Sequence, residues 1–307
     1  MARILVTRDL PFEALDRLRA AHDVDVWEAP TPPTPDQLRT RARDADGLLT
    51  MLTERVDAAL LDAAPRLRAI ANMAVGTDNI DLDAAAARGI AVGNTPDVLT
   101  DATADIAFAL LLAVARRLPE GAAEVREGRW GPWQPAHALG ADVAGARLGI
   151  VGRGRIGQAM ARRGAGFGME VMHSSRSSGL PLNELLERAD FVSLHTPLTP
   201  QTRHLIDAAA LARMKRSAFL INTARGGVVD QAALRAALIE GEIAGAGLDV
   251  TDPEPLPPDD PLLDAPNLLV LPHIGSATVR TRARMAAMAA DNLLAALAGR
   301  PMPHPVT

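Results

Sequence analysis

The chain has 307 residues, of which 48% are hydrophobic and 22% charged, with a formal net charge of -5. That length fits two domains of roughly 100–200 residues each, and the apolar content excludes wholesale disorder. The acidic balance offers no basic face to a nucleic-acid backbone, and the absence of cysteine excludes disulfides and thiolate metal sites.

The first segment places Arg8 and Asp9 where a signal peptide needs an apolar core. Short apolar runs then alternate with helical patterns. Ile4-Leu5-Val6, Val24-Asp25-Val26, Gly47-Leu48-Leu49 and Ala69-Ile70-Ala71 read as strands, with the amphipathic stretches Phe12–Ala21 and Asp57–Ala63 between them. The proline-rich piece Pro30–Pro35 reads as a loop that precedes a helix. Such alternation predicts an α/β fold with parallel sheets and crossover helices.

The stretch from Asp101 to Leu118 is apolar on every side, with Asp101 and Asp105 at its start and Arg116 and Arg117 at its end. These charges complement a helix dipole, and a helix apolar all round must be buried. It is expected to be the first long link between two domains. Its longest apolar run, Ile106 to Ala115, is about half of the roughly 20 residues needed to span a bilayer. A cytoplasmic protein without membrane or nucleic-acid partners is expected.

A second alternating series begins at Arg147, with strands over Leu148–Val151, Glu170–His173, Phe191–His195, Ala218–Asn222, Gly245–Leu248 and Leu268–Leu271. A final helix near Thr281–Ala298 is long enough to return to the first domain. The expected division is a discontinuous substrate domain, residues 1–98 and 286–307, and a dinucleotide-binding domain, residues 99–285.

The turn Gly152-Arg153-Gly154-Arg155-Ile156-Gly157 lies between the strand Leu148–Val151 and a helical stretch starting at Ile156. In this strand–turn–helix setting Gly152 permits the tight turn, Gly154 admits the pyrophosphate, and Gly157 lets helix and strand pack closely. A NAD-binding strand would end in Asp or Glu, about 20 residues on, to hold the ribose 2′-hydroxyl. Here the strand end reads His173-Ser174-Ser175-Arg176, which has no carboxylate. Ser175 and Arg176 suit a 2′-phosphate, so NADP(H) is favoured and NAD(H) is the alternative. The bland reading of Arg176 is a solvated loop residue.

Three later segments are polar where predicted strands end: Asn222–Gly227, Asp249–Pro255 and Pro272–Ser276. Reduction of a 2-oxo acid needs a cation for the carboxylate, an acid for the carbonyl oxygen and a hydride donor. Arg225 suits the first task through its planar fork, and His273 the second. A carboxylate such as Glu254 beside a histidine favours its charged form. Taken alone, each assignment competes with a plain surface or structural role. His22, His137, His195, His204 and His304 show no ligand spacing, and no metal is expected.

Together Val75-Gly76-Thr77-Asp78-Asn79-Ile80-Asp81, Gly152–Gly157, Asn222–Asp230, Gly247–Pro255 and Pro272–Ser276 resemble the D-isomer-specific 2-hydroxyacid dehydrogenases over nearly the whole chain. The resemblance implies a Rossmann nucleotide domain inserted in a flavodoxin-like substrate domain, and a homodimer through the nucleotide domains. It implies that Arg225 binds substrate and that His273 and Glu254 form the acid–base pair. It also implies that the Val75-Gly76 amides hold the substrate carboxylate and that Asp249 meets the nicotinamide amide. Thr103, Thr196 and Pro197 are expected to line the cofactor, and Thr223 and Ser276, inside two of the motifs, join that set. Arg129-Trp130-Gly131-Pro132-Trp133, Arg155-Ile156 and Ser175-Arg176 are most similar to the glyoxylate/hydroxypyruvate reductase branch, in which Leu52 would shape a small substrate pocket. Trp130 and Trp133 also fit simple packing or a dimer contact. A NAD-linked D-lactate-type dehydrogenase and a dinucleotide-sensing corepressor share the same fold and are the alternatives.

Overall fold

The computed structural model describes residues 1–10 and 12–306. It divides into two compact units, Met1–Leu99 with Ala277–Thr307, and Thr100–Ser276.

In the first unit the chain runs β1 (Arg3–Val6), α1 (Ala14–Ala21), β2 (Asp23–Val26), α2 (Pro35–Ala42), β3 (Gly47–Thr50), α3 (Ala58–Ala63), β4 (Ala69–Asn72), α4 (Leu82–Ala87) and β5 (Ala91–Gly93). The strands form one parallel sheet in the order β2-β1-β3-β4-β5. This is the flavodoxin-like order, whose direction of winding reverses between β1 and β3. β3 and β4 are buried at every position, as strands covered by helices on both faces must be. Helix starts follow the polar residues before them. Thr34 and Gln37 make a reciprocal capping box with Pro35 in the first turn, and Asp57 and Asp81 accept the N–H groups of Leu60 and Ala84.

The second unit contains α5 (Thr100–Ala115), α6 (Leu118–Arg126), β6 (Arg147–Val151), α7 (Arg155–Gly166), β7 (Glu170–Ser175), β8 (Ser178–Gly179), α8 (Leu182–Arg188), β9 (Phe191–Leu194), α9 (Ala208–Arg213), β10 (Phe219–Asn222), α10 (Gln231–Ile239), β11 (Gly245–Leu248) and β12 (Leu268–Val270). The sheet order is β12-β11-β10-β9-β6-β7-β8, parallel except for the β7–β8 pair. This is the Rossmann order with a two-residue antiparallel strand in the third-strand place, and its reversal lies between β6 and β9. A last helix, α11 (Val279–Leu297), returns to the first unit and packs on α1, β3 and β4.

Two sequence expectations need correction. The apolar helix ends at Ala115, before Leu118, because Arg117 takes a left-handed φ of 51° and α6 starts afresh. The helix begins at Thr100, the first residue of the second unit. It lies within the second, against α7, β10, β11 and β12, where Leu110 presses on Gly247. Asp101 and Asp105 at its start pair with Arg163 of α7 in addition to facing the helix dipole. The second boundary falls at Ser276/Ala277, ahead of the expected 285/286, because α11 is one continuous helix and stays whole in the first unit.

Candidate active site

The strand β6 leads straight into the glycine turn, at the reversal of strand order. Gly152 has a φ of 97°, and a Cβ there would lie 2.4 Å from the carbonyl oxygen of His195, just past β9. A Cβ on Gly157 would lie 2.1 Å from the Gly152 carbonyl oxygen, so α7 can start this close to the turn only without a side chain. Gly154 differs: it caps α7, and beyond its chain neighbours no atom of the described residues lies within 4 Å of its missing Cβ. The turn therefore leaves an open cradle at the start of a 12-residue helix, whose first N–H groups have no intrahelical partner. Arg155 and Ile156 occupy its first turn.

Further groups fit a dinucleotide at this end of the sheet. Thr223, just past β10, is buried with its Oγ1 unpartnered among the described residues. Thr103 on α5 is buried beside Gly275, and Ser276 is also buried. Thr196 is half-buried and Pro197 exposed after β9. At the end of β7, Ser175 Oγ donates to the Ser178 carbonyl oxygen at 2.9 Å and accepts the Ser178 N–H at 3.2 Å. This closes the β7–β8 turn and leaves Arg176 exposed at its tip, with no carboxylate partner among the described residues.

The reactive pair is built by the loops after β11 and β12. His273 Nδ1 lies 2.8 Å from Oε2 of Glu254, and Glu254 Oε1 accepts the Thr251 N–H at 3.0 Å. Gln231, the first residue of α10, holds the same loop from behind. Its Nε2 donates to the Asp252 carbonyl at 2.9 Å and its Oε1 accepts the Asp252 N–H at 2.7 Å. Asp249 is almost wholly buried, and its two oxygens accept the N–H groups of Ile274 and Gly275, both at 2.7 Å. Burial pushes its carboxyl up, and these two N–H groups partly offset that. Asp249, expected as a cofactor contact, thus also fastens the segment next to His273.

Arg225 is half-buried on the loop after β10. Asn222 fixes that loop: its Nδ2 donates to the Arg225 carbonyl at 2.9 Å and its Oδ1 accepts the Ala224 N–H at 3.0 Å. Gly226 abuts the next loop so closely that a Cβ would lie 2.0 Å from the Thr251 carbonyl carbon. The Arg225 and Glu254 loops are therefore in contact. Gln231 lies outside the sequence motifs, and Asn222 and Thr251 lie inside them without a loop-fixing role legible from the sequence. The available signal was weak: polar residues beside strand ends, with nothing in the spacing to reveal side chain-to-backbone bonds.

In the first unit, Leu52 is half-buried after β3, and Val75 and Gly76 follow β4. The Val75 and Gly76 carbonyls accept from the amides of Asn94 and Asn72, each at 2.8 Å. Among the described residues no cluster of His, Asp or Glu could hold a metal ion, and no helix is long and apolar enough to cross a membrane.

A family model for the NAD binding domain of D-isomer specific 2-hydroxyacid dehydrogenases matches residues 108–275. A glyoxylate reductase of Korarchaeum cryptofilum is 50% identical, over 98% of this chain and 95% of its own length. One of Aeropyrum pernix is 47% identical over 98% and 95%. A crystal structure of a Thermus thermophilus protein superposes with a TM-score of 0.95 at 52% identity, covering 99% of this chain and 100% of that one. An NADPH-dependent glyoxylate/hydroxypyruvate reductase of Sinorhizobium meliloti, solved with NADP and malonate, gives 0.87 at 36% identity, covering 100% and 97%. With its glycine turn, its histidine–glutamate pair and these relatives, the chain belongs to the D-isomer-specific 2-hydroxyacid dehydrogenase family and is an NAD(P)-dependent oxidoreductase.

Proposed function

We propose that the protein reduces glyoxylate and hydroxypyruvate to the corresponding D-2-hydroxy acids with NADPH. The observation that carries this reading is the 2.8 Å contact of His273 Nδ1 with Glu254. It fixes the ring and leaves Nε2 as the nitrogen to meet a carbonyl oxygen. His273 then acts as general acid and gives its Nε2 proton to the developing alkoxide, while Glu254 holds the ring oriented. Arg225 binds the substrate carboxylate, with backbone donors from Val75 and Gly76, and Leu52 keeps the pocket small. A bound nicotinamide supplies the hydride. Gly152, Gly154 and Gly157 with the start of α7 would hold its pyrophosphate, and Thr103, Thr196, Pro197, Thr223, Asp249 and Ser276 would line it.

The NADPH preference is carried by the β7 end, where Ser175 and Arg176 stand in place of a carboxylate. The NADP complex of the Sinorhizobium meliloti enzyme is in keeping with that cofactor, and the relatives named as glyoxylate reductases support glyoxylate as a substrate. The test is a steady-state panel of glyoxylate, hydroxypyruvate and pyruvate with each cofactor. Glyoxylate or hydroxypyruvate with NADPH should exceed NADH by about tenfold or more in kcat/KM, as charge-assisted contacts allow. Equal rates with NADH, or pyruvate as the best substrate, would favour a D-lactate-type enzyme. Cofactor binding without turnover on any acid would favour a sensor.

The protein is further proposed to be a cytoplasmic homodimer joined through the nucleotide-binding units. Residues 127–140 are exposed throughout and carry Trp130 and Trp133, at 75% and 84% exposure, which suits a surface covered by a second copy. Light scattering on a sizing column should give twice the chain mass, and a monomer would remove the proposal.

A further inference from the structure

Glu54 is a carboxylate that none of the roles above uses, and its side chain has no exposed surface. Its Oε2 accepts from Thr7 Oγ1 at 2.6 Å, from the Met51 N–H at 2.8 Å and from Thr50 Oγ1 at 3.1 Å. Its Oε1 accepts from Thr53 Oγ1 at 2.6 Å and lies 3.2 Å from the Arg8 guanidinium. All five partners are donors, and a carboxylate offers about four lone-pair positions, so the anion is saturated. Burying such a group commonly stabilises no more than burying an apolar one of the same shape, so its use here points to the geometry it imposes.

Its position says what depends on it. Thr7 and Arg8 follow β1, and Met51–Glu54 follow β3, so Glu54 ties together the two loops at the reversal point of this sheet, where open α/β sheets bind ligands. The turn is gripped from its other side as well. Asn79 Nδ2 donates to the carbonyls of Met51 and Glu54, at 2.9 and 3.0 Å. Asn72 Nδ2 in turn donates to Asn79 Oδ1 at 3.1 Å and to the Gly76 carbonyl at 2.8 Å. One hydrogen-bonded frame therefore runs from Glu54 to Gly76.

We infer that Glu54 is a positioning residue that sets substrate-size selectivity by locking the Met51–Thr53 turn and hence Leu52. This rests on the reading of Leu52 as a wall of the substrate pocket. The test is Glu54→Gln, which keeps the shape. The Met51 N–H cannot turn away, so the amide oxygen must serve it; the amide NH2 then faces the Arg8 guanidinium, donor against donor, and the Thr53 hydroxyl must turn from donor to acceptor. For glyoxylate the variant should lose mainly in KM, and kcat/KM for 2-oxoisovalerate relative to glyoxylate should rise about tenfold, the scale of a misfitted small pocket. NADPH affinity, read by fluorescence, should stay within about twofold, and Met51–Thr53 amide exchange should speed up about tenfold. Thr7→Val, which removes one 2.6 Å bond, should shift all readouts the same way by less, and decides the matter if Glu54→Gln does not fold. An unchanged size ratio with unchanged exchange in the folded variant would overturn the inference. Leu52→Ala separates the two claims. If it widens the substrate range while Glu54→Gln does not, the inference falls and the pocket reading stands. If Glu54→Gln frees the turn but Leu52→Ala leaves the range unchanged, the pocket reading falls and takes the selectivity claim with it.

Discussion

His273 Nδ1 and Glu254 Oε2 lie 2.8 Å apart, on loops that leave the ends of two neighbouring parallel strands. Each partner is fixed a second time by backbone. Thr251 donates its N–H to the other Glu254 oxygen, and Asp249 accepts from Ile274 and Gly275 directly after the histidine. His273 itself sits at a φ of 54°, a left-handed conformation that costs a non-glycine residue of order 1 kcal/mol. The surrounding bonds sustain that conformation, as is common where a reactive side chain must be aimed.

Replacing His273 with Gln should therefore lower kcat by about 10²–10⁴-fold, the usual worth of a general acid. Dinucleotide affinity should hold, because none of the turn contacts involves this side chain. Stopped-flow or steady-state assays check the first point and fluorescence titration the second. Near-normal turnover would remove the general-acid role.

Two glycines of the same turn should behave in opposite ways. Gly157→Ala puts a methyl 2.1 Å from a backbone oxygen, so it should destabilise the second unit by a few kcal/mol, about 1–3 being typical of overpacking. Gly154→Ala meets no atom of the described residues within 4 Å beyond its chain neighbours, so its melting temperature should match the parent while dinucleotide binding weakens. Calorimetry with and without NADPH tells them apart. A Gly154→Ala protein that binds NADPH as tightly as the parent would show that the cradle does not hold the cofactor.

The strands and the turn were legible in the sequence because their signals are local. Parallel strands such as Gly47–Thr50 and Phe219–Asn222 are unbroken apolar runs, and the three glycines mark a turn whose geometry only glycine permits. The Arg225, Glu254 and His273 roles came from residue chemistry and family resemblance together. What stayed hidden depends on partners distant in sequence. Glu54 reads as an ordinary polar residue until Thr7, 47 positions away, is found beside it. Gln231 shows its grip on Asp252 only once α10 is packed against that loop. The two-residue β8 and the break at Arg117 carry too little pattern to be seen beforehand.

Arg176→Ala should reduce the preference for NADPH. The side chain is exposed and has no carboxylate partner among the described residues, so the fold does not depend on it. Losing one charge-assisted contact to a 2′-phosphate should raise KM for NADPH by about tenfold and leave NADH nearly unchanged. Kinetics with both cofactors at several salt concentrations provide the check, since a lost ionic contact also flattens the salt dependence. A variant with the parental NADPH/NADH ratio would mean that Arg176 is only a solvated loop residue.

His195 should make stability depend on pH in a range that it shares with His22, whose pKa burial also lowers, so the variant is what isolates it. It follows β9, its Nε2 lies 2.9 Å from Ser193 Oγ, and burial lowers its pKa from 6.5 to about 4. Between those values the unfolded chain binds a proton that the folded chain refuses, so this contribution is complete above pH 6.5 and is lost as pH falls towards about 4. The ceiling is about 3 kcal/mol, and partial solvent contact keeps the real figure below it. At Asp46 and Asp190 burial pushes the carboxyls up, but hydrogen bonds from Arg3 and Arg66, and from Lys215 and Arg147, bring both below the usual range. Their contribution fades only under more acidic conditions, so the two effects separate. In His195→Gln the fall in melting temperature between about pH 7 and pH 5 should shrink, while the loss at lower pH remains. An unchanged slope between pH 7 and pH 5 would show that the histidine is solvated enough to titrate normally.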